Sequence, residues 1–152
     1  MTRFSLKSLG LVAGFLFAGG YVLASGSNSG LLPYTDQEVI ESGRTLYDQN
    51  CASCHGADLS GAPDWRTPDA DGFFPAPPHD QTGHTWHHPD AQLIDITTRG
   101  TAAIVGNGYQ SRMIGFADIL TQEEIIATLA YIKSTWPQRV IEAHNKINSA
   151  GN

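Results

Sequence analysis

Apolar residues recur at helical spacing in three separate stretches of the chain. The face of the first stretch consists of Val39, Gly43, Leu46 and Tyr47. Just before it, Thr35 to Glu38 matches a capping box, in which a threonine and a glutamate side chain cap the first turn reciprocally. The pattern therefore predicts a helix that starts after Thr35 and runs into Cys51.

The other two stretches lie in the second half of the chain. Pro89 and Gly100 fit the start and the end of a short helix. Thr121 to Glu124 repeats the capping box, and Pro137 stops or bends the helix that follows it. The apolar faces consist of Leu93, Ile94 and Ile96 in the short helix and of Ile125, Ile126, Leu129, Ile132 and Trp136 in the longer one. A further short helix is predicted from the spacing of Val140, Ile141, His144 and Ile147.

The segments between these helices are predicted to be loops. Residues 56–88 are interrupted throughout by glycine and proline, and residues 101–120 are also expected to form a loop. No strand pattern and no internal repeat is present in the sequence. Long loops inside a compact domain are typical of functional segments. Because the helices carry too few apolar side chains for a core, the sequence predicts a cofactor in the middle of an all-α fold.

The N-terminal residues are typical of an export signal. Arg3 and Lys7 precede an uncharged apolar stretch over 9–24, which fits a signal peptide and is slightly short for a membrane span. A cleaved signal and an uncleaved anchor over 4–24 both remain open, and either would export the remainder. The predicted organisation is a signal or anchor over 1–24, a linker over 25–33, a domain over 34–137 and a tail over 138–152, with a short helix in the tail.

Charge and cysteine content narrow the function further. The net charge is −6, and the chain has no basic cluster to neutralise phosphates, which argues against a nucleic-acid partner. The chain has two cysteines, Cys51 and Cys54, which excludes a framework of several disulfides.

Cys51, Cys54 and His55 form the motif Cys-Ala-Ser-Cys-His, the attachment signature of a c-type haem. Two thiols about one helical turn apart can each form a thioether with one haem, and the adjacent imidazole then binds the iron. A zinc site would need more ligands at a similar spacing. A redox-active cysteine pair of the thioredoxin type would need a βαβ pattern, which is absent here. The motif therefore predicts one covalent haem c.

Met113 is the candidate for the second axial ligand of the iron. It is the one methionine besides Met1, and it lies in a loop just before the last strong helix. A single methionine is often a core residue. With a haem present, however, histidine and methionine ligation would fill both axial positions, which favours electron transfer over catalysis.

From about Tyr34 to Pro137 the sequence resembles a small class I cytochrome c of the bacterial periplasmic or membrane-tethered type. The resemblance is carried by Gly43 and Tyr47 before the Cys-Ala-Ser-Cys-His motif, and by Met113 ahead of a helix that contains Leu129-Ala130-Tyr131-Ile132. It implies that the N- and C-terminal helices cross around a covalently bound haem, with Gly43 meeting Tyr131 and with long irregular loops.

The resemblance also implies further residues around the haem. A carbonyl of Pro77, Pro78 or a neighbour is expected to accept the N–H of the His55 imidazole. The family often has an aliphatic residue after these prolines, where this chain has His79. Trp86 is expected to cover the haem or a propionate, and Arg99 or Arg112 to pair with a propionate.

The segment from Gly83 to Asp90 resembles one found in a bacterial subgroup of these cytochromes. It contains His84, His87 and His88, which invites the hypothesis of a separate metal site, for example for copper, or of an alternative axial ligand. A contact between one histidine and a haem propionate is the simpler interpretation.

The predicted function is single-electron transfer by one haem on the periplasmic side of the inner membrane, without enzymatic activity. The partners implied are a dehydrogenase, a quinol-oxidising complex or a terminal oxidase, with transient docking. The alternatives are a haem enzyme or gas sensor with a labile sixth ligand, and a subunit tethered to one complex.

Overall fold

The computed structural model describes residues 30–150, and the residues that it describes contain helices and no strand. The prediction of an all-α fold is confirmed. None of the helices within 30–150 has the length and apolar character needed to cross a bilayer, and the predicted signal or anchor over 1–24 lies outside the described residues. The helices are α1 (Gln37–Asn50), α2 (Ala52–His55), α3 (Asp90–Arg99), α4 (Thr101–Val105), α5 (Gln122–Ser134) and α6 (Gln138–Ala150), with one 3₁₀ turn at Thr85–His87.

The packing of α1 on α5 forms the centre of the fold. A Cβ atom at Gly43 would overlap the backbone of Ala127, so the two helices approach each other as closely as a glycine permits. The atoms nearest to that Cβ are backbone atoms of Ala127 and Thr128, so the expected contact of Gly43 with Tyr131 stays a prediction. The Tyr131 ring contacts the Tyr47 ring one turn further along α1, with the ring centroids 5.5 Å apart.

The two capping boxes predicted from the sequence have different outcomes. At α5 the box is present: Glu124 N donates to Thr121 Oγ1, and the Glu124 carboxylate accepts from Thr121 N. At α1 the cap is Asp36, whose Oδ1 accepts from the backbone N–H of Glu38 and of Val39. The prediction of a box from Thr35 is therefore wrong by one residue, because aspartate caps a helix as well as threonine does.

The segment after α3 is partly helical. Gly100 ends α3 with a φ of 82°, in the left-handed region that favours glycine, and α4 begins at the next residue. The prediction of an uninterrupted loop over 101–120 is therefore wrong for Thr101–Val105. A Cβ atom at Gly100 would also crowd the backbone of the loop that contains Met113, so this glycine lets that loop lie against the end of α3.

Helix α6 is longer and more deeply packed than the short helix expected in the tail. Its residues Val140 and Ile141 join the apolar core, and the ring of His144 meets Trp136 edge to face at 5.1 Å. The indole Nε1 of Trp136 donates to the carbonyl of His79 at 2.7 Å. The C-terminal segment is thus a structural part of the domain and supports the loop that follows Pro77 and Pro78.

A buried polar cluster joins four segments at one end of the domain. Asp90, at the start of α3, accepts from the backbone N–H groups of Leu31 and Leu32 through Oδ2. Its Oδ1 lies 3.3 Å from His144 Nε2 and 3.8 Å from Lys133 Nζ. All three side chains are at most 2% exposed. Charges this deeply buried are tolerated only when they are paired.

Candidate functional site

The Cys-Ala-Ser-Cys-His segment lies at the junction of α1 and α2. Cys51 ends α1 and is half-buried, Cys54 is exposed on α2, and both thiols are free. Burial, with a smaller contribution from Cys54, raises the pKa of Cys51 to about 11. The Tyr47 hydroxyl donates to the carbonyl of Gly56 at 2.8 Å and so ties the end of the motif back to α1.

The His55 ring is buried, and the loop after the motif fixes its orientation. Nδ1 lies 2.8 Å from the carbonyl oxygen of Pro77. Because a carbonyl can only accept, Nδ1 carries the proton, and the neutral ring keeps its lone pair on Nε2. Desolvation lowers the pKa of His55, which favours this neutral form. The carbonyl of Pro78 is used differently, as it accepts from the Thr85 hydroxyl at 3.4 Å.

A close backbone approach holds Pro77 in this place. Gly61 has a φ of 72°, and a Cβ there would crowd the backbone of Pro77 and Pro78. The N–H of Gly61 also donates to the carbonyl of His55 at 2.8 Å. The loop that contains Pro77 is therefore packed directly against the end of the motif, which explains why the carbonyl of Pro77 meets the His55 imidazole.

His79 lies behind His55. The two rings are stacked with centroids 4.0 Å apart, and His79 also meets the Tyr47 ring edge to face at 6.1 Å. Its Nδ1 lies 3.0 Å from the Thr85 hydroxyl oxygen, and burial lowers its pKa well below the ordinary value. A neutral imidazole thus occupies the position where an aliphatic residue was expected from the resemblance, and Thr85 satisfies its polar atom.

Met113 is half-buried and packs against the apolar core from the loop between α4 and α5. Its backbone N–H donates to the Ser111 hydroxyl at 3.1 Å. Three residues later, Phe116 N donates to the carbonyl of Thr97 at 3.0 Å, which docks this side of the loop on α3.

The two arginines considered for a propionate are both engaged with carboxylates of the chain. Arg99 forms an exposed ion pair with Asp95, one turn earlier on α3, at 3.2 Å. Arg112 binds Asp69 and Asp71, and its guanidinium lies 4.3 Å from the centroid of the Phe73 ring. Their contact with a propionate stays a prediction.

The aromatic and histidine-rich segment lies around the 3₁₀ turn. The Trp86 ring stacks on His87 at 3.7 Å, and its Nε1 donates to the carbonyl of Gln81 at 3.4 Å. His84 stacks on Trp65 and meets His88 edge to face, both at 5.4 Å. Within residues 30–150, no group of three or more histidine, cysteine or acidic side chains is placed to hold a metal ion. The role of Trp86 beside a haem stays a prediction.

The donor set at the motif fits a c-type haem. The motif contains two free thiols, and the adjacent imidazole is held in the tautomer that leaves Nε2 available to a metal. Met113 supplies the one methionine sulfur within the described residues, and its role as the second iron ligand stays a prediction. The pattern of residues and the orientation of His55 therefore support the same cofactor.

Comparison with known families decides the class of protein. The family model described as "Cytochrome c" matches residues 40–136, which is more than half of the chain. The chain belongs to the cytochrome c family. Membership implies haem c and a role in haem-based electron transfer. The matched region of this cytochrome c runs from α1 to Trp136, two residues after the end of α5, and α6 follows it.

Two curated relatives are similar to parts of this cytochrome c. A "Nitrite reductase" of Stutzerimonas stutzeri is 27% identical over 132 residues, which cover 83% of this chain and 20% of the relative. A "Cbb3-type cytochrome c oxidase subunit CcoP" of Azospirillum sp. (strain B510) is 34% identical over 70 residues, which cover 46% of this chain and 22% of the relative. The chain thus spans about a fifth of the length of these relatives. No solved structure gives a significant match.

Two sets of charged contacts in the domain could not be predicted from sequence motifs. Asp69 and Asp71 lie in a loop without periodicity, and nothing in the sequence pairs them with Arg112 across more than 40 residues. Similarly, a lysine near the end of a helix is expected to be exposed to solvent, yet Lys133 is buried beside Asp90. The one available signal was the single acidic residue directly after Pro89, at a predicted helix start.

Proposed function

We propose that this chain is a mono-haem electron-transfer domain, with Cys51 and Cys54 holding the haem and His55 and Met113 binding its iron. The observation that carries the proposal is the geometry of His55. Its Nδ1 donates to the carbonyl of Pro77 at 2.8 Å, so Nε2 carries no proton and keeps its lone pair. The two free cysteines belong to the same motif. An imidazole fixed in this way by a backbone carbonyl is typical of a metal ligand.

Each of these residues has a separate task. The two thiols provide the sulfur atoms of the thioethers, and the backbone carbonyl of Pro77 orients the proximal imidazole and makes it more basic. The His79 ring stacks on His55, and both His55 and the neighbouring Tyr47 are buried, which limits the access of water to the imidazole. When bound, the haem supplies an iron that changes between the ferric and ferrous states by one electron.

Ligation of the iron by two protein side chains would favour a carrier. If His55 and Met113 both bind the iron, no coordination position would be left for a substrate, and the methionine would raise the reduction potential. We therefore propose that the domain itself is not an enzyme. The nitrite reductase relative is matched over only 20% of its length, so its name supports no enzymatic activity for this chain.

We propose that the partners are redox proteins. The names of the two relatives, a nitrite reductase and an oxidase subunit, support a position next to a terminal reductase or oxidase, with a dehydrogenase or quinol-oxidising complex as the donor. Export to the periplasmic side of the inner membrane is supported by the positively charged and apolar residues of 1–24. The net charge of −6 favours a partner with a basic docking surface.

The first experiment is a spectroscopic comparison of wild type, Met113→Ala and Ile114→Ala, each expressed with a c-haem maturation system. Ile114 is the matched control, because it is adjacent to Met113 and 57% exposed. We expect a weak ferric band at the red end of the spectrum in wild type and Ile114→Ala, and its loss in Met113→Ala. Denaturing mass spectrometry should show one covalent haem in all three proteins.

The opposite result is equally clear. A high-spin wild-type spectrum that Met113→Ala leaves unchanged would show that Met113 is not an iron ligand. The domain would then have an open axial position, and ready binding of carbon monoxide or peroxide by wild type would favour a haem enzyme or gas sensor. Absence of the covalent haem would contradict the roles of Cys51 and Cys54.

A further inference from the structure

The loop that contains Met113 is attached very differently on its two sides. After Met113, the backbone N–H groups of Phe116 and Ala117 donate to the carbonyls of Thr97 and Thr98 at 3.0 and 3.2 Å. A Cβ at Gly115 would crowd the backbone of Arg99, so the main chains are in direct contact there. The downstream side is therefore fixed to α3 by main-chain interactions.

The upstream side has almost no such support. Gly106, Asn107 and Gly108 have φ values of 68°, 51° and 78°, and a Cβ at either glycine would meet nothing within 4 Å. The hydrogen bonds made by residues 107–111 with other described residues stay inside the loop, as with Tyr109 N and the carbonyl of Gly106. Few external contacts of this kind are typical of segments that open locally at low cost.

Arg112 is the exception on this side. Its Nη1 donates to Asp69 and its Nη2 to Asp71, the latter at 2.9 Å, while its guanidinium lies over Phe73. The receiving turn is itself ordered, because Asp69 Oδ1 accepts from the N–H groups of Asp71 and Phe73, both at 3.0 Å. This leaves Asp69 Oδ2 for the arginine. The hydrogen bond from Arg112 also holds the pKa of Asp69 below its ordinary value.

We infer that Arg112, Asp69 and Asp71 form a clamp that holds the upstream side of the Met113 loop closed, and that Arg112 is a positioning residue for Met113. The inference rests on the proposed ligation of the iron by Met113. Arg112 is the residue directly before Met113, so release of its guanidinium frees the loop from the Gly106 turn up to the ligand itself. The clamp therefore sets how easily an external ligand displaces Met113.

The expected effect is moderate and depends on salt. The ion pairs are exposed, with 53% of the Arg112 side chain accessible, so dissolved ions screen them. We expect Arg112→Gln to raise the affinity of the ferric protein for imidazole about fivefold, the scale that a well-oriented exposed ion pair supports. Added salt should raise this affinity in wild type and have little effect on the variant.

The experiment is an imidazole titration of the ferric holoprotein, followed by loss of the red-end methionine band. Arg139→Gln is the matched control, because it removes the same charge and also an exposed hydrogen bond, from Arg139 to Gln81. Asp71→Asn should act in the same direction as Arg112→Gln, since the Asp71 carboxylate binds Arg112, and Arg112→Lys should be intermediate. The double variant of Arg112→Gln and Asp71→Asn should add little to Arg112→Gln alone.

Two results of the imidazole titration overturn the clamp. One is an Arg112→Gln protein whose imidazole affinity equals that of Arg139→Gln while its band is intact. The other is full additivity in the double variant. Failure of the proposed function looks different, because wild type would then lack the band and Met113→Ala would bind imidazole as wild type does. The thermal stabilities of Arg112→Gln and Arg139→Gln, measured in parallel, should differ little. A large loss of stability in Arg112→Gln alone would indicate a general structural role of Arg112 and would also contradict the inference.

Discussion

Lys133 Nζ lies 3.8 Å from Asp90 Oδ1, and the two side chains are 1% and 2% exposed. The pair connects the last turn of α5 with the first turn of α3, far apart in sequence. Desolvation lowers the pKa of Lys133, and the Asp90 carboxylate opposes this shift. The Asp90 carboxylate thus favours the charged form of the lysine, which burial disfavours.

We expect Asp90→Asn to destabilise the holoprotein by about 3 kcal/mol, because it leaves the lysine charge buried without its counter-charge. Denaturant unfolding of the two proteins measures this difference. The matched control is Asp95→Asn, which removes a carboxylate from the exposed pair with Arg99 on the same helix and should cost less than about 1 kcal/mol. Equal losses in both variants would show that Asp90 and Lys133 do not interact as a buried pair.

The third member of this cluster predicts a dependence of stability on pH. Nε2 of His144 donates to the carbonyl of His88 at 2.9 Å, and burial, followed by the nearby Lys133 charge, lowers the pKa of His144. The unfolded chain, with a histidine pKa of about 6.5, therefore binds more protons than the folded one. The contribution of His144 is present above about pH 6.5 and is lost as the pH falls through the folded pKa.

The variant His144→Gln tests this dependence. Glutamine keeps an N–H donor for His88 but cannot titrate, so the free energy of unfolding should fall less steeply with decreasing pH than in wild type. His55 and His79 are present in both proteins, so their contributions cancel in the difference between the two curves. Parallel curves between about pH 7.5 and pH 5 would rule out His144 as the responsible group.

The contact between α1 and α5 predicts a large effect of a single methyl group. Gly43→Ala would place a Cβ against the Ala127 carbonyl, where backbone cannot move aside. We expect a loss of about 2 kcal/mol in the free energy of unfolding, as is typical of overpacking. Ser42→Ala, at the exposed neighbouring position of the same helix, is the control and should be nearly neutral. A neutral Gly43→Ala would mean that the two helices separate easily.

Two adjacent residues, Thr35 and Asp36, were candidates for the N-cap of α1, and the structure assigns this role to Asp36. Asp36→Ala removes the acceptor for the N–H groups of Glu38 and Val39 and should cost about 1 kcal/mol. Thr35→Ala removes no capping bond and should change the stability by less than about 0.5 kcal/mol. Thermal unfolding of the two variants compares their stabilities. A larger loss of stability in Thr35→Ala than in Asp36→Ala would support the capping box that was predicted from the sequence.

These cases show which parts of the fold the sequence could reveal. Local patterns predicted a helix end correctly where a single residue could cap it, as for the capping box at Thr121 and for Gly100 at the end of α3. They were ambiguous where two adjacent residues could both act as the N-cap, as for Thr35 and Asp36. The all-α class followed from helical spacing alone, because the chain shows no alternating pattern.

Relations between distant residues were beyond these patterns. That His79 stacks on His55, and that Arg112 binds Asp69, depends on how loops without periodicity fold over one another. The sequence predicted α6 as a short helix in the tail, and its deep burial was missed for a related reason, because the buried polar residues His144 and Asn148 depend on distant partners. Their partners lie at Asp90 and His88, more than 50 residues away.

The cluster around Asp90 also determines where the described chain enters and leaves the domain. A Cβ at Gly30 would crowd both the Asp90 carboxylate and the Asn148 amide, so residue 30 and the last turn of α6 are neighbours. A domain whose two ends meet can be inserted into a surface loop of a larger protein, or circularly permuted, without stretching its backbone. The proximity of residue 30 to the last turn of α6 gives residues 30–150 this property.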